Sequence, residues 1–180
     1  MKKITFITGN PGKAEQLSKY LDHPAEHQKL DLDEIQSLEL KDVLEHKVKQ
    51  AYELLKTPVL VDDVALYITT LGDFPGPLIK WFEKATGYEK ICSLLASETD
   101  KSAKAEVGVG YYDGTNLRLF FGDIKGSIAL KPKGNGGFGW DVVFVPEGFD
   151  QTRAEMDEVD YDFTSPRRIA LEKLKEYLDG

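Results

Sequence analysis

The segment GNGGFGWDVVF at 134–144 carries residue types that suit the binding of a flat, polar ring. Its glycines, Gly139 among them, permit left-handed backbone angles and close approach of a ligand to the backbone. Phe138 and Trp140 could offer stacking faces, while Asp141 and nearby backbone groups could meet the hydrogen-bonding edge of a nucleobase. The same residues are also compatible with a tight turn that enters a strand and places two aromatic side chains in the core.

A second polar group, TGNPGK at 8–13, lies between the first predicted strand and the first predicted helix. Free N–H groups around Gly9 and at the start of that helix could hold a phosphate, because a helix N-terminus favours anions. Thr8 and Asn10 would add side-chain donors, and Lys13 would add charge. The spacing of the two glycines excludes a Walker A loop. The turn therefore predicts a phosphate site, with an ordinary strand-to-helix connection as the alternative.

Lys47 and three acidic residues suggest a site for metal-assisted chemistry on an anion. Lys47 lies on the apolar face of a predicted helix, where its ammonium must reach solvent or meet an anion. Asp62 and Asp63 follow a predicted strand, so we expect them at its carboxyl end, the edge where α/β sheets bind ligands. A divalent cation would offset their repulsion, and Glu34 could add a ligand, which predicts a Mg²⁺ site. A solvated surface charge is the alternative for each acid alone.

Hydrophobic periodicity predicts an α/β fold with a mixed central β-sheet flanked by helices, forming one domain over 1–180 with two lobes and a nucleotide cleft between them. The predicted strands are 4–8, 59–61 and 142–145, with a hairpin in 104–123 that turns at Asp113 and Gly114. The predicted helices are one after Gly12, 39–56, most of 78–95 and a last helix that begins near Ser165 and Pro166. Arg167, in the first turn of the last helix, opposes the helix dipole, and its guanidinium suits the carbonyl edge of a purine.

Composition excludes several functional classes. The formal net charge of -8 argues against a nucleic-acid surface, which normally shows a basic stripe. The single cysteine, Cys92, permits no intramolecular disulfide, and no apolar segment has the length of a membrane span or the form of a signal peptide. We therefore expect a protein of the cytoplasm with no membrane or nucleic-acid partner.

Five motifs resemble, in order and spacing, the inosine triphosphate pyrophosphatase (Ham1-like) family: TGNPGK at 8–13, DLDEIQ at 31–36, VLVDD at 59–63, FPGPLIKWF at 74–82 and GFGWDVVFVP at 137–146. The resemblance covers nearly the whole chain. It implies a homodimeric, magnesium-dependent enzyme that hydrolyses inosine, deoxyinosine and xanthosine triphosphates to the monophosphate and pyrophosphate.

The resemblance also implies roles for individual residues. The phosphates would be held by Thr8, Asn10, Lys13, Lys47 and Lys80. Glu34 and Asp63 would serve the metal and the attacking water, and the base would be held by 138–141 with Ser165 and Arg167. Asp63, Lys13 and Lys47 are accordingly the predicted catalytic groups.

The chain departs from the family pattern before the last helix. Tyr161 stands where the family usually has a lysine, Pro166 where it has a histidine, and Val64 where it has a hydroxyl side chain. Two alternatives therefore remain open. One is the same pyrophosphohydrolase chemistry directed to another nucleotide, and the other is a nucleotide-binding protein without catalysis.

Overall fold

The structure is a computed structural model that describes residues 4–21 and 25–180. These ranges contain seven β-strands: β1 (Ile4–Ile7), β2 (Ala25–Gln28), β3 (Val59–Ile68), β4 (Pro75–Gly76), β5 (Ser102–Tyr112), β6 (Leu117–Ile128) and β7 (Phe144–Pro146). They also contain six α-helices: α1 (Pro11–Leu21), α2 (Leu40–Leu55), α3 (Ile79–Thr86), α4 (Tyr88–Leu94), α5 (Glu158–Phe163) and α6 (Pro166–Asp179).

The strands form one mixed sheet in the order β2-β1-β3-β5-β6-β7, and β4 pairs with β3. β1 runs parallel to β2 and β3, with Ile4 opposite Ala25 and Thr5 opposite Val59. β4 and β7 run antiparallel to β3 and β6. The predicted α/β fold with a mixed central sheet is therefore confirmed.

Strand β3 is longer than its sequence predicts. It continues through Asp62 and Asp63 to Ile68, so the prediction that these acids follow the end of the strand is wrong. Charged residues interrupt an apolar pattern and therefore look like a strand end. Here cationic partners allow the strand to continue through them.

Two other predicted elements have different boundaries in the structure, and the predicted hairpin turn is confirmed. The helical stretch at 78–95 is two helices, because Gly87 between them has φ 77°, outside the helical region. Residues 139–142 form a short 3-10 helix, and β7 begins at Phe144 rather than at Val142. The hairpin turn is stabilised by the carboxylate of Asp113, whose Oδ1 accepts the N–H groups of Thr115 and Asn116 at 2.9 and 2.7 Å.

The chain divides into two compact units, each with its own apolar core. The first comprises Met1–Asp63, Val107–Gly122 and Arg167–Gly180, and the second comprises Val64–Glu106 and Asp123–Pro166. The core of the first unit packs α1 and α6 against β1 and β3, with Phe6, Leu21, Leu60 and Leu171 almost fully buried. The core of the second unit includes Leu66, Ile79, Ile91 and Phe144. Within the described residues, no helix combines the length and the apolar character needed to cross a bilayer.

Candidate functional site

The turn from Thr8 to Lys13 is organised by the side chain of Asn10. Its Oδ1 accepts the N–H groups of Gly12 and Lys13 at 3.0 and 3.4 Å, and thereby caps the start of α1. The Thr8 hydroxyl accepts the N–H of Asn10 at 3.0 Å. The expectation that these N–H groups are free for a phosphate is therefore wrong for Gly12 and Lys13. Gly9 and the side chains of this turn remain predicted phosphate contacts.

Asp62 lies at the centre of a buried charge cluster in the first unit. Its Oδ1 accepts from Lys13 Nζ at 3.0 Å, and its Oδ2 accepts from Arg167 Nε and Nη2 at 3.1 and 2.8 Å. Arg167 Nη1 donates to Gln16 Oε1 at 2.7 Å. Both carboxylate oxygens are thus held by cations, so Asp63 is the better placed of the two acids for a metal, and the metal contact predicted for Asp62 stays a prediction.

Arg167 is bound to an acidic residue of the same unit. Its guanidinium is buried on Asp62, and its predicted contact with a base stays a prediction. The carboxylate of Asp62 offsets the unfavourable position of a cation in the first turn of α6. Arg167 therefore orients Asp62, which in turn orients Lys13.

Asp63 and Lys47 form a second, more accessible ion pair. Lys47 Nζ donates to Asp63 Oδ2 at 2.8 Å, and the two side chains keep 16% and 22% of their surface exposed. Burial lowers the pKa of Lys47, but the charges of Asp63, Asp62 and Glu34 more than offset this and raise it. Lys47 is therefore a stable ammonium. The anion that the sequence predicts for a lysine on an apolar helix face is Asp63.

Asp63 and Glu34 have the donor chemistry of a magnesium site. Both act electrostatically on the same ammonium of Lys47, and magnesium typically needs only one or two carboxylates beside water and substrate phosphates. Within 4–21 and 25–180, no group of three or more His, Cys, Asp or Glu side chains is placed to hold a metal by itself. Asp63 and Glu34 therefore have the chemistry to contribute to a metal site, and that site stays a prediction.

The Asp62 cluster predicts an acid-sensitive first unit. Burial raises the pKa of Asp62, but Lys13 and Arg167 together lower it to about 2. A carboxyl whose folded-state pKa lies below its unfolded value stabilises the fold above the unfolded value, and this stabilisation is lost as pH falls through the folded pKa. We expect the free energy of unfolding in urea to fall between about pH 4 and pH 2. In Asp62→Asn this decline should be shallower, and parallel curves for the two proteins would contradict the assignment.

In the second unit, Asp141 holds together the loop that was predicted to bind a base. Its Oδ2 accepts the N–H of Phe138 at 3.0 Å and the hydroxyl of Tyr161 at 2.8 Å. Its Oδ1 accepts from Arg153 Nε at 2.8 Å. Asp141 is 2% exposed and Arg153 is 3% exposed, so this is a buried ion pair.

Trp140 packs in the core of the second unit, and the stacking on a base predicted for it stays a prediction. It is 7% exposed and meets Phe144 edge to face, with ring centroids 5.5 Å apart, inside the core of the second unit. Phe138, Gly139 and Asp141 remain predicted base contacts. Lys80 lies in α3 with its Nζ 5.3 Å from the ring centroid of Trp81, and its predicted phosphate contact is a prediction still. Ser165 is buried immediately before α6.

Gly137 makes the tight loop around Asp141 possible. It has φ 65°, and a Cβ there would lie 2.3 Å from Asp141 Oδ2. We expect Gly137→Ala to lower the free energy of unfolding by roughly 1–3 kcal/mol more than Gly148→Ala does. Gly148 is the matched control because it has φ 86° but no atom within 4 Å of a Cβ. Equal losses in urea unfolding would show that the loop relaxes around the added methyl group.

Comparison with known proteins identifies the family of this chain. The family model described as the Ham1 family matches residues 4–177. The chain belongs to the Ham1 family. The Ham1-family relatives include the inosine triphosphate pyrophosphatase of Scheffersomyces stipitis, 40% identical over 99% of this chain and 98% of that protein. The dITP/XTP pyrophosphatase of Thermococcus kodakarensis is 36% identical over 98% of this chain and 97% of that protein.

The solved structures agree with this assignment. A HAM1 protein from Coxiella burnetii is 25% identical, covers 99% of both chains and superposes with a TM-score of 0.87. The shared fold covers 99% of this Ham1-family chain. The family pattern therefore applies to both compact units.

The structure adds two residues to the candidate site that sequence patterns missed. Arg153 pairs with Asp141 from 12 residues further along the chain, and Gln16 meets Arg167 across a separation of 151 residues. Neither separation is a helical or strand repeat, so no periodicity could indicate these pairs. The sequence signal for Arg153 is its charge alone.

Proposed function

We propose that this chain hydrolyses the triphosphates of inosine, deoxyinosine and xanthosine to the monophosphate and pyrophosphate. The observation that carries the proposal is the group of Lys13, Lys47 and Arg167 around two adjacent carboxylates in the first unit. Such a group suits a polyphosphate that is cleaved by water. The relatives with this activity in their names span nearly the full chain at 36% and 40% identity.

Each residue of the group has a distinct part in the proposed reaction. Asp63 orients the attacking water and can accept its proton, because it is the more exposed of the two carboxylates. Lys47 has three N–H donors, so it can donate to a phosphate oxygen while it remains bound to Asp63. Lys13, held by Asp62, stabilises the charge that develops on the leaving pyrophosphate.

We further propose that Mg²⁺ binds to Asp63, Glu34 and the substrate phosphates. The ion would supply charge neutralisation of the polyphosphate. Asp62 has no part in this set, because its oxygens are engaged by Lys13 and Arg167.

The test is turnover of a panel of nucleoside triphosphates with pyrophosphate and phosphate resolved as separate products. We expect magnesium-dependent pyrophosphate release from inosine, deoxyinosine and xanthosine triphosphates, much faster than from the standard nucleotides and abolished by a chelator. Release of phosphate alone, or no release, would contradict the proposed reaction. Unchanged turnover after chelation would contradict only the metal.

A second candidate is the same chemistry directed to another nucleotide. It is favoured by the segment before α6, where Tyr161 replaces the usual lysine and donates to Asp141 instead of standing as a cation. The same panel distinguishes the two candidates, since faster pyrophosphate release from a different base would select the second.

We also propose that the protein is a homodimer of the cytoplasm, as the resemblance and the lone cysteine indicate. Exposed apolar side chains that could contribute to such an interface are Leu130, Val159 and Phe163, which are 75%, 76% and 68% exposed. Light scattering would give the mass directly. A mass of 20.2 kDa, that of one chain, would contradict the dimer.

A further inference from the structure

Two buried arginines bind buried aspartates in this protein, and they use their guanidinium groups differently. Arg167 places Nε and Nη2, the two donors of one guanidinium edge, on the same oxygen of Asp62. Arg153 places only Nε on Asp141. The planar guanidinium directs one N–H of Nη2 parallel to Nε–H, so Nη2 of Arg153 faces the same side as the Asp141 loop.

The two terminal nitrogens of Arg153 differ in their hydrogen bonds. Nη1 donates to the carbonyl of Tyr161 at 3.2 Å, to the hydroxyl of Thr164 at 2.6 Å and to the carbonyl of Thr164. Nη2 donates to no atom of the described residues. In the described part of the chain, one fully enclosed polar side-chain atom lacks a hydrogen-bond partner, and that atom is His46 Nε2. Because Nη2 of Arg153 also lacks a partner among these residues but is not that atom, Nη2 is not fully enclosed.

The network also fixes the position of this donor. The Arg153 guanidinium carbon lies 4.1 Å from the centroid of the Tyr161 ring and 5.9 Å from that of Trp140. Burial, with the nearby charge of Asp141, raises the pKa of Tyr161 to about 12, so its hydroxyl stays protonated and donates to Asp141. Because Asp141 and the ring of Tyr161 hold the Arg153 guanidinium in place, its free donor can reach only an acceptor at one position.

We propose that Arg153 is the specificity-determining residue of the base-binding loop and that its Nη2 donates to a carbonyl oxygen on the purine. Besides its predicted base contact, Asp141 then acts as a positioning residue, because it holds Arg153 and the backbone of Phe138. The inference rests on the proposed function and deepens it. A 6-oxo group accepts from Nη2, whereas the 6-amino group of adenine presents a donor to a donor. Arg153 thereby supplies the positive charge that the family usually has as a lysine at position 161, and its guanidinium lies over the ring of Tyr161.

The test compares inosine triphosphate with purine riboside triphosphate, which has hydrogen in place of the 6-oxo group. We expect the wild-type kcat/KM ratio of the two nucleotides to be roughly 10- to 100-fold in favour of inosine triphosphate. Arg153→Lys should reduce this ratio to within about 3-fold by lowering only the inosine value, because an ammonium cannot serve Asp141, Thr164 and the base together.

Tyr161→Phe is the control for a purely structural role. It removes one donor to Asp141 but leaves Arg153 and its aromatic neighbour, so the nucleotide ratio should persist even if both rates fall. A ratio that Arg153→Lys leaves unchanged, or that Tyr161→Phe also abolishes, would overturn the proposal.

The wild-type ratio decides the question if Arg153→Lys fails to fold. A ratio near one would overturn the inference and leave the proposed function intact. A large ratio that persists in Tyr161→Phe would support the inference. No pyrophosphate release from either nucleotide would overturn the proposed function and this inference with it.

Discussion

Asp63→Asn is expected to lower kcat for inosine triphosphate hydrolysis by roughly 10²- to 10⁴-fold, the usual contribution of a positioned general base. The amide keeps the size of the side chain but cannot accept a proton from water or bind magnesium as a carboxylate does. Steady-state kinetics at saturating magnesium would measure the loss. The free energy of unfolding should fall by only about 1 kcal/mol, because the Lys47–Asp63 pair keeps contact with solvent.

The contrast with the neighbouring residue makes this experiment specific. If Asp63→Asn unfolded the protein as severely as Asp62→Asn, the loss of kcat would report on folding and the assigned role would be wrong. A kcat within about threefold of wild type in a folded variant would also exclude Asp63 as the residue that activates water.

Asp62→Asn is expected to have the largest effect on stability, about 3 kcal/mol or more in the free energy of unfolding. The substitution leaves Arg167 and Lys13, whose side chains are 6% and 19% exposed, without the charge that balances them. A buried charge without its partner is costly because the low-dielectric interior solvates it poorly. Urea unfolding at neutral pH would measure the loss.

An exposed ion pair provides the matched control for this prediction. Glu172→Gln removes a carboxylate from a pair with Arg168 one helical turn away in α6, where Glu172 is 51% exposed. We expect a change of no more than about 0.5 kcal/mol. Similar losses in the two variants would show that burial does not govern the Asp62 cluster.

Local pattern predicts the longer helices and strands but not the short β2, β4 and α5, and it is least reliable at charged positions. The helices at 40–55 and 166–179 follow from apolar residues at helical spacing. The predicted strand ends at Val61, although β3 continues to Ile68, because a carboxylate after an apolar run looks like a strand end when its partners are not known. Lys13 and Arg167 reach that strand from α1 and α6, which are far away in sequence.

In the candidate site, too, the residue types are predictable from the sequence, whereas their partners are not. Asp63 and Lys47 were identified from the sequence, since a lysine on an apolar helix face and adjacent acids beside a strand each require a partner. The pairing between them, and the different role of Asp62, needed coordinates. Trp140 shows the opposite limit, because an aromatic residue beside glycines has the same sequence pattern in a ligand site and in a core.

The α/β class, the order of the motifs and the residue types that can act on a polyphosphate follow from the sequence, because they depend on local periodicity and on the chemistry of single side chains. The three-dimensional contacts were needed to show that Asp62 lies between two cations, which arginine binds which aspartate, and which donor of Arg153 has no partner in the described residues. Those outcomes depend on burial and on contacts between residues distant in sequence. Such contacts assign different roles to side chains that are identical in type.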